Sequence, residues 1–489
     1  MNNNPLIAQL ATLSRKEMTR FTEFAASPYF NKHKQVLALV KILSEIYPDF
    51  SNKKCDREIL FQKLFPTEKH HQPQLAIVFT YALRLLEQFL ILESGEAAQL
   101  LNDKTLYFNQ LRKRNLNQFL KTDLEHSAGS RTRTPSHQPA TNAAGYLQQL
   151  RCVAEQDAIA MQLGQQQTHF LEEKQQVLEQ YFMLESLRDA CERIQRSRIL
   201  KSSSTESALF EKMVDLLAHP GSPTPENPSL KVYVQLYKLL KNNDLDKFQA
   251  CKETIRANEN IFDLEERQNL YNYLQNFCIQ QINQGHQGFL LEVFKLYQLQ
   301  LNSHLLLVDG ILPEWHYKNI VTTGLRLEER EWVRNFIEDY HKLLAPSVAL
   351  NAYSYNLAAW HYHVGKTTAV LPLLLQVEYT DLRYNLDAKA LLLRTYFDLE
   401  EEEALLAHIE AFGQFVKRNK SLTDFQKKGY FNLIRFAQRS FKLKVQQGFT
   451  KRDKWQEAAD KLQAEIQQSE PIFNKAWLQL KLDEMRKQK

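Results

Sequence analysis

Glycine and proline are scarce in this chain. It has 13 glycines and 15 prolines in 489 residues, whereas average proteins contain about 7% glycine and about 5% proline. A chain so poor in helix-breaking residues, and rich in leucine, glutamine, glutamate and lysine, is predicted to be mostly α-helical. The scarcity of glycine argues against dinucleotide-binding and P-loop enzymes, whose phosphate-binding turns require it. The composition also excludes collagen-like and low-complexity proteins.

Cysteine is too sparse to build a disulfide scaffold. The five cysteines are odd in number, and no two of them form a close pair such as C-x-x-C. We therefore expect reduced thiols, as in the cytoplasm. Cys191 and Cys278 lie among apolar residues at helical spacing, which favours small buried side chains over reactive ones.

No segment is predicted to enter a membrane. The most apolar stretch, residues 75–92, carries Arg84 and Glu87 near its middle, where charges are expensive in lipid. Its polar residues fall on one narrow stripe, which predicts an otherwise buried core helix. The N-terminus lacks a charged start followed by an apolar run, so no signal peptide is expected. These features together predict a cytoplasmic protein.

Helix start and stop signals divide the chain into segments. A capping-box pattern of Ser14 with Glu17 predicts a helix start near Arg15. Two prolines, two glycines and no large apolar residue predict a flexible linker over 126–145, and a proline-rich loop at 219–229 marks the clearest boundary. The predicted segments are an N-terminal helical unit (1–125), that linker (126–145), a long helix pair (146–218), helical repeats (230–446) and C-terminal capping helices (447–489).

Paired helices are predicted at nearly regular intervals after residue 230. The first helices of successive pairs begin near Asp244, Gln287, Glu329, Lys366 and Glu401. The steps are 43, 42, 37 and 35 residues, whereas tetratricopeptide helix pairs repeat every ~34 residues. The glycine and closing proline of that motif are missing. The prediction is therefore an all-α, tetratricopeptide-like α-solenoid, with an unrelated multi-domain helical protein as the alternative.

Side-chain sizes also predict how the pairs pack. Ala358, Ala359 and Ala390 lie where a second helix must approach its neighbour closely. Trp332 and Phe336 are four residues apart on a first helix, as large anchoring side chains would be. Pro372 lies inside a predicted first helix, which it should delay or kink.

Four segments resemble a bacterial protein family of the Bacteroidota that has no assigned activity. They are FTEFAASPYFNK at 21–32, LFP at 64–66, YFMLESLRDACE at 181–192 and YKNIV at 317–321. Because they are scattered over most of the chain, the resemblance covers its full length. It implies a tetratricopeptide-type helical array that binds other proteins, and it brings no cofactor or catalytic residue.

No residue pattern in the sequence specifies a reaction. VGKTT at 364–368 resembles the end of a phosphate-binding loop, but the position that requires the earlier glycine is Trp360. The close histidine pairs are His70 with His71 and His361 with His363. Helical metal ligands are instead three or four residues apart. We therefore predict no enzyme activity, catalytic residue, cofactor or metal, although a site assembled from distant residues stays open.

Charge is most uneven at residues 411–454. Twelve lysines and arginines face two aspartates there, while the whole chain carries a net charge of +5. Interleaved aromatic residues complete a pattern used to bind single-stranded nucleic acid, but an amphipathic helix with a basic solvent face gives the same pattern. The candidate residues for a partner or nucleic-acid patch are Lys427, Lys428, Arg435, Arg439, Lys442 and Lys444.

Two functions follow from these observations. The first is a non-enzymatic scaffold or adaptor that holds a protein partner on its helical-repeat surface, with the binding face expected on first helices between Trp332 and Phe415. The alternative is nucleic-acid binding by the basic region 411–454, with an affinity that falls steeply as salt increases. The sequence does not identify the partner or the oligomeric state.

Overall fold

A computed structural model shows an all-α chain. It contains no β-strand among the residues that it describes. The described residues are 4–50, 55–66, 72–94, 104–120, 141–165, 168–200, 206–218, 227–375 and 382–487. The predicted all-α class is confirmed for these residues, whereas most of the predicted linker lies outside them.

The chain forms two compact units that divide between Glu185 and Ser186. This point lies inside a long helix and not at either predicted loop. The helices up to and including that long one are α1 (Pro5–Leu10), α2 (Arg15–Ala26), α3 (Lys34–Ile46), α4 (Arg57–Leu64), α5 (Gln72–Glu93), α6 (Lys104–Lys113), α7 (Ala143–Gln162) and α8 (His169–Leu200).

The first unit has its main core where α2, α3 and α5 pack together. Phe21 of α2 and Leu39 of α3 are fully buried, and the Phe21 and Phe89 ring centroids are 5.4 Å apart. The predicted start of α2 is confirmed. The Ser14 hydroxyl accepts a hydrogen bond from the Glu17 N–H, and the Glu17 carboxylate accepts one from the Ser14 N–H.

Helix α5 buries one face instead of nearly all of its surface. Phe79 and Leu86 belong to the core of the first unit, but Ile77, Tyr81 and Ile91 are exposed. The sequence prediction that this helix is buried outside one narrow polar stripe is therefore wrong, because apolar side chains are exposed as well. By length and composition Pro73–Glu93 would suffice to cross a membrane, and 39% of its apolar window is buried.

The helices on either side of the predicted linker pack against each other. Leu111, Leu120 and Ile159 share a small buried cluster, and the Arg112 Nε lies 2.9 Å from the Glu155 Oε1. This packing places residues that follow the linker in the same unit as residues 104–120. The predicted boundary at residue 125 had put these two segments in different units. A turn at Asn115, whose φ is 55°, follows the end of α6 at Lys113.

The second unit begins in the C-terminal half of α8. There the Arg188 Nε lies 3.5 Å from the Glu266 carboxylate, and the Tyr273 hydroxyl donates to Glu192 over 3.0 Å. Its further helices are α9 (Ala208–Ala218), α10 (Pro228–Asn242), α11 (Phe248–Ala257), α12 (Leu264–Asn283), α13 (Phe289–Asn302), α14 (Glu314–Arg326), α15 (Arg330–Tyr340), α16 (Pro346–His363), α17 (Val370–Leu375), α18 (Leu382–Leu399), α19 (Glu402–Arg418), α20 (Asp424–Val445), α21 (Arg452–Gln468) and α22 (Lys475–Lys487).

A recurring left-handed turn precedes each predicted first helix. The turns contain Asn243, Gly285, Glu328, Gly365 and Glu400, all with positive φ. In each case a helical segment starts within about four residues of the turn, which confirms the five predicted start points. A left-handed residue ends a helix by preventing the next turn from forming. Only two of the five are glycine, so the glycine pattern in the sequence is weak.

Alternate helices of the second unit pack side by side. Helix α14 contacts α16, α16 contacts α18, α18 contacts α20, and α20 contacts α22. Of the three alanines predicted at close approaches, Ala358 and Ala390 are buried on α16 and α18, whereas Ala359 is half-buried and lines a cleft. Trp332 and Phe336 stack with their ring centroids 5.4 Å apart on α15. Pro372 falls in the first turn of the six-residue α17, where proline is tolerated.

Replacing Gly324 with alanine should destabilise the second unit. A Cβ at Gly324 would lie 2.4 Å from Cγ2 of Val333 and 3.1 Å from the Phe294 ring, and valine is stiff at χ1. Overpacking costs about 1–3 kcal/mol, which should exceed the helix-propensity gain of about 1 kcal/mol. Urea denaturation of Gly324→Ala should therefore show a lower midpoint.

Gly413→Ala is the matched control. Gly413 also lies inside a helix, but a Cβ there would meet no atom within 4 Å. Alanine should therefore raise the free energy of unfolding by about 0.5–1 kcal/mol through helix propensity alone. Shifts of the same sign in both variants would contradict this reading of the packing at Gly324.

Candidate functional site

A cleft of about 1060 Å³ opens in the second unit. Its walls come from the helices that pack side by side: α14, α16, α18, α20 and α22. All of these except α22 are second helices of the predicted pairs, and α22 continues the same layer. A concave surface of this size lies at the upper limit of the range that binds ligands.

Paired charges line the cleft. The Lys444 Nζ lies 2.9 Å from Glu400, and the Arg330 guanidinium lies 2.6 Å from Glu328. The other ion pairs of the lining are Lys318 with Asp387, Lys481 with Asp398 and Lys481 with Glu484. Partly exposed ion pairs contribute little stability individually, but they fix the side chains that shape the walls.

Asp398 is held by donors from two other helices. It accepts a hydrogen bond of 2.6 Å from the Tyr362 hydroxyl, and the Lys481 Nζ lies 3.0 Å away. Burial raises the pKa of Tyr362, so its hydroxyl stays protonated and remains a donor. These contacts join α16, α18 and α22 across the cleft and occupy the Asp398 carboxylate.

Arg394 differs from the paired cations around it. Its guanidinium carbon lies 4.8 Å from the centre of the Tyr362 ring, and its Nε is buried with no hydrogen-bond partner among the described residues. No ion pair joins Arg394 to any carboxylate in the part of the chain that the structure describes. The floor of the cleft therefore contains a half-buried cation whose donor capacity is not fully used.

The six predicted patch residues do not share one surface. All lie on α20, where the helical spacing places Lys428, Arg435, Arg439 and Lys442 on one face. The Arg439 guanidinium is paired with Glu465 over 2.9 Å, an interaction that raises the pKa of Arg439. The structure therefore leaves only part of the predicted positive charge unpaired on this face.

The remaining two residues of the patch lie elsewhere on the helix. Lys444 lines the cleft with its Nζ 5.4 Å from the Phe397 ring centre, and Lys427 is partly buried. The predicted basic surface is thus divided between the cleft and the opposite side of α20.

Most aromatic residues of the basic region belong to the core. Phe436 is fully buried, Phe441 is 3% exposed and Tyr430 is 9% exposed. The rings that remain accessible in this region are Phe425, Phe431 and Phe449. Base stacking requires accessible ring faces, so burial removes only part of the aromatic pattern that favours nucleic-acid binding.

The histidine and glycine patterns lie in structural positions. Gly365 has a φ of 79° in the turn after α16, as expected for a turn between helices. The His363 Nε2 lies 3.1 Å from Glu328, whereas His70 and His71 lie outside the described residues. Within the described ranges, no group of three or more histidine, cysteine or acidic side chains is arranged to hold a metal ion.

The buried cysteines remain protonated thiols. Cys191 and Cys278 are fully buried, which confirms their predicted placement. Burial raises the pKa of Cys251 to about 12 and raises the pKa of Cys191 and Cys278 as well. Because the thiolate is the nucleophilic form, these side chains do not form a reactive centre at neutral pH.

Sequence reasoning placed the binding face on the first helices between Trp332 and Phe415, whereas the cleft lies against the second helices. It missed Lys318, Arg394 and Asp398. A signal was present, because Arg394, Phe397 and Asp398 have the i, i+3, i+4 spacing of one helix face. The sequence did not show that α14, α20 and α22 place their own charges around this face.

Comparison with known proteins leaves the cleft as the main guide to function. No protein-family model, no curated protein and no solved structure matches the chain. The functional inference therefore depends on the geometry and charge of the second unit.

Proposed function

We propose that this protein is a non-enzymatic cytoplasmic scaffold or adaptor that binds a segment of a protein partner. In this proposal the second unit is a tetratricopeptide-like α-solenoid, in keeping with the resemblance to the Bacteroidota family. The observation that carries the proposal is the cleft along the side-by-side helices α14, α16, α18, α20 and α22. Helical-repeat proteins bind partners on extended surfaces of this kind.

The chemistry of the lining supports a protein ligand. Tyr362, which is half-buried, provides aromatic surface, while charges of both signs surround it. Protein interfaces are enriched in aromatic residues and arginine at their centres and are more polar at their rims. Leu480 adds an apolar side chain that is 53% exposed and available to a bound segment.

Partner capture by matched variants tests the proposal. Leu480→Glu places a charge in the cleft, and Leu350→Glu makes the same change on α16 at a leucine that is 69% exposed and is not part of the lining. We expect tagged full-length wild type and Leu350→Glu to retain the same stoichiometric protein from cells that make the chain. The amount of that partner retained by Leu480→Glu should be at least ten-fold lower than with wild type, measured by quantitative mass spectrometry.

Adding nuclease or salt in the same experiment distinguishes nucleic-acid binding from binding of a protein partner. Nucleic-acid binding by region 411–454 predicts material that absorbs at 260 nm, is lost with added salt, and disappears after charge reversal at Lys427, Lys428, Arg435 and Arg439. The pairing of Arg439 and the buried aromatic rings count against it. Equal partner retention by Leu480→Glu and Leu350→Glu, or retention that nuclease abolishes, would contradict binding of a protein in the cleft.

A further inference from the structure

The charges of the cleft are nearly balanced and leave a small positive excess. Six lysine and arginine side chains line it, against five carboxylates. The cations are Lys318, Arg326, Arg330, Arg394, Lys444 and Lys481, and the carboxylates are Glu328, Asp387, Asp398, Glu400 and Glu484. The cleft therefore complements a ligand group that carries one negative charge.

Two arginines of the lining have no carboxylate partner among the described residues. Arg326 is exposed and lies 3.4 Å from the amide oxygen of Gln287, so water and that amide solvate it. Arg394 is half-buried between helices, and its buried Nε–H has no acceptor among the described residues. No ion pair with a described carboxylate occupies its terminal N–H groups, which can therefore bind an incoming anion.

The groups beside Arg394 favour an oxyanion of low charge. Asp398 lies one helical turn away, and its carboxylate already accepts from Tyr362 and Lys481. A dianionic phosphate would meet repulsion from Asp398 and the other four carboxylates, whereas a carboxylate adds a single charge. Arginine also matches the planar geometry of a carboxylate through paired N–H donors.

We propose that Arg394 anchors a carboxylate of the partner segment at the floor of the cleft. This inference rests on the proposed function and specifies the chemistry of its ligand: a peptide with an acidic side chain or a free C-terminus, seated against Tyr362. Arg394 positions the segment through the carboxylate, and Tyr362 and the exposed Leu480 supply apolar contact.

A labelled library of nine-residue peptides tests this inference on the immobilised full-length chain. One half of the library ends in a free carboxylate and the other half in an amide. Within each half, matched peptides carry either glutamate or glutamine at one internal position, and each internal position is tested in turn. Wild type should retain carboxylate-bearing peptides over their amide counterparts. Preference between the two halves identifies a C-terminal carboxylate, and preference for glutamate within the amide half identifies a side chain.

Arg394→Gln should reduce this preference by about ten-fold or more, because a hydrogen bond to a charged group contributes about 1.5–3 kcal/mol. Arg435→Gln, which removes an exposed arginine outside the lining, should leave it unchanged. Peptides retained without a carboxylate preference, or with one that survives Arg394→Gln, would overturn the anchor and leave the scaffold proposal standing. If wild type retains no peptide, both proposals fail.

Discussion

Phe397→Ala should lower the free energy of unfolding of the second unit by about 3–5 kcal/mol. Phe397 is 1% exposed, and its ring lies 5.5 Å from that of Phe441 and 5.2 Å from that of Trp477. Truncation leaves a cavity among three helices, α18, α20 and α22, that cannot collapse without moving one of them. It also removes the ring beneath the Lys444 ammonium.

Tryptophan fluorescence during urea denaturation measures the unfolding of the second unit. All five tryptophans lie at or after residue 315, within the second unit. Phe449→Ala is the matched control, because Phe449 is 91% exposed and exposed substitutions usually change stability by less than about 0.5 kcal/mol. If both variants unfold at the same urea concentration, Phe397 does not have the central packing role assigned to it.

Acidification should destabilise the second unit through His316. Burial lowers the pKa of His316 from 6.5 to about 4, and its Nδ1 has no hydrogen-bond partner among the described residues. The unfolded chain therefore binds a proton more readily than the folded chain between these two values. The stability contributed by neutral His316 is complete above about pH 6.5 and is lost as the pH falls towards 4.

The expected loss is about 1–2 kcal/mol between pH 7.5 and pH 5, measured by urea denaturation at each pH. Burial also lowers the pKa of His361 and His408, so part of the pH dependence should remain without His316. His316→Phe keeps an aromatic ring near Tyr297 but cannot be protonated. Its stability should fall less than that of wild type over this range, and parallel curves would refute the role of His316.

Helix starts were the most predictable part of the fold. Capping at Ser14 and the five starts from Asp244 to Glu401 depend on a few neighbouring residues, and the structure confirms them. The predicted boundary at residue 125 depended on the composition of the linker. Composition does not show that Arg112 and Leu111 find their partners beyond the linker, at Glu155 and Ile159.

The candidate site was much less predictable. Lys444 was identified from the sequence as part of a basic surface, but the structure places it in a cleft opposite Glu400. Arg439 stays partly exposed, but its charge is paired with Glu465 on the next helix. In both cases the deciding carboxylate is at least 26 residues away in the chain, where no local spacing rule applies.

The sequence alone determined that this protein is helical and where its helices begin, because helix propensity, capping and the turns that end helices act over a few residues. The tertiary structure decided which faces of those helices remain accessible. The same left-handed turns join each second helix to the next first helix, so the sequence pattern does not specify which layer lines a cleft. Only packing α14, α16, α18, α20 and α22 side by side brings Lys318, Arg394 and Lys481 to one surface.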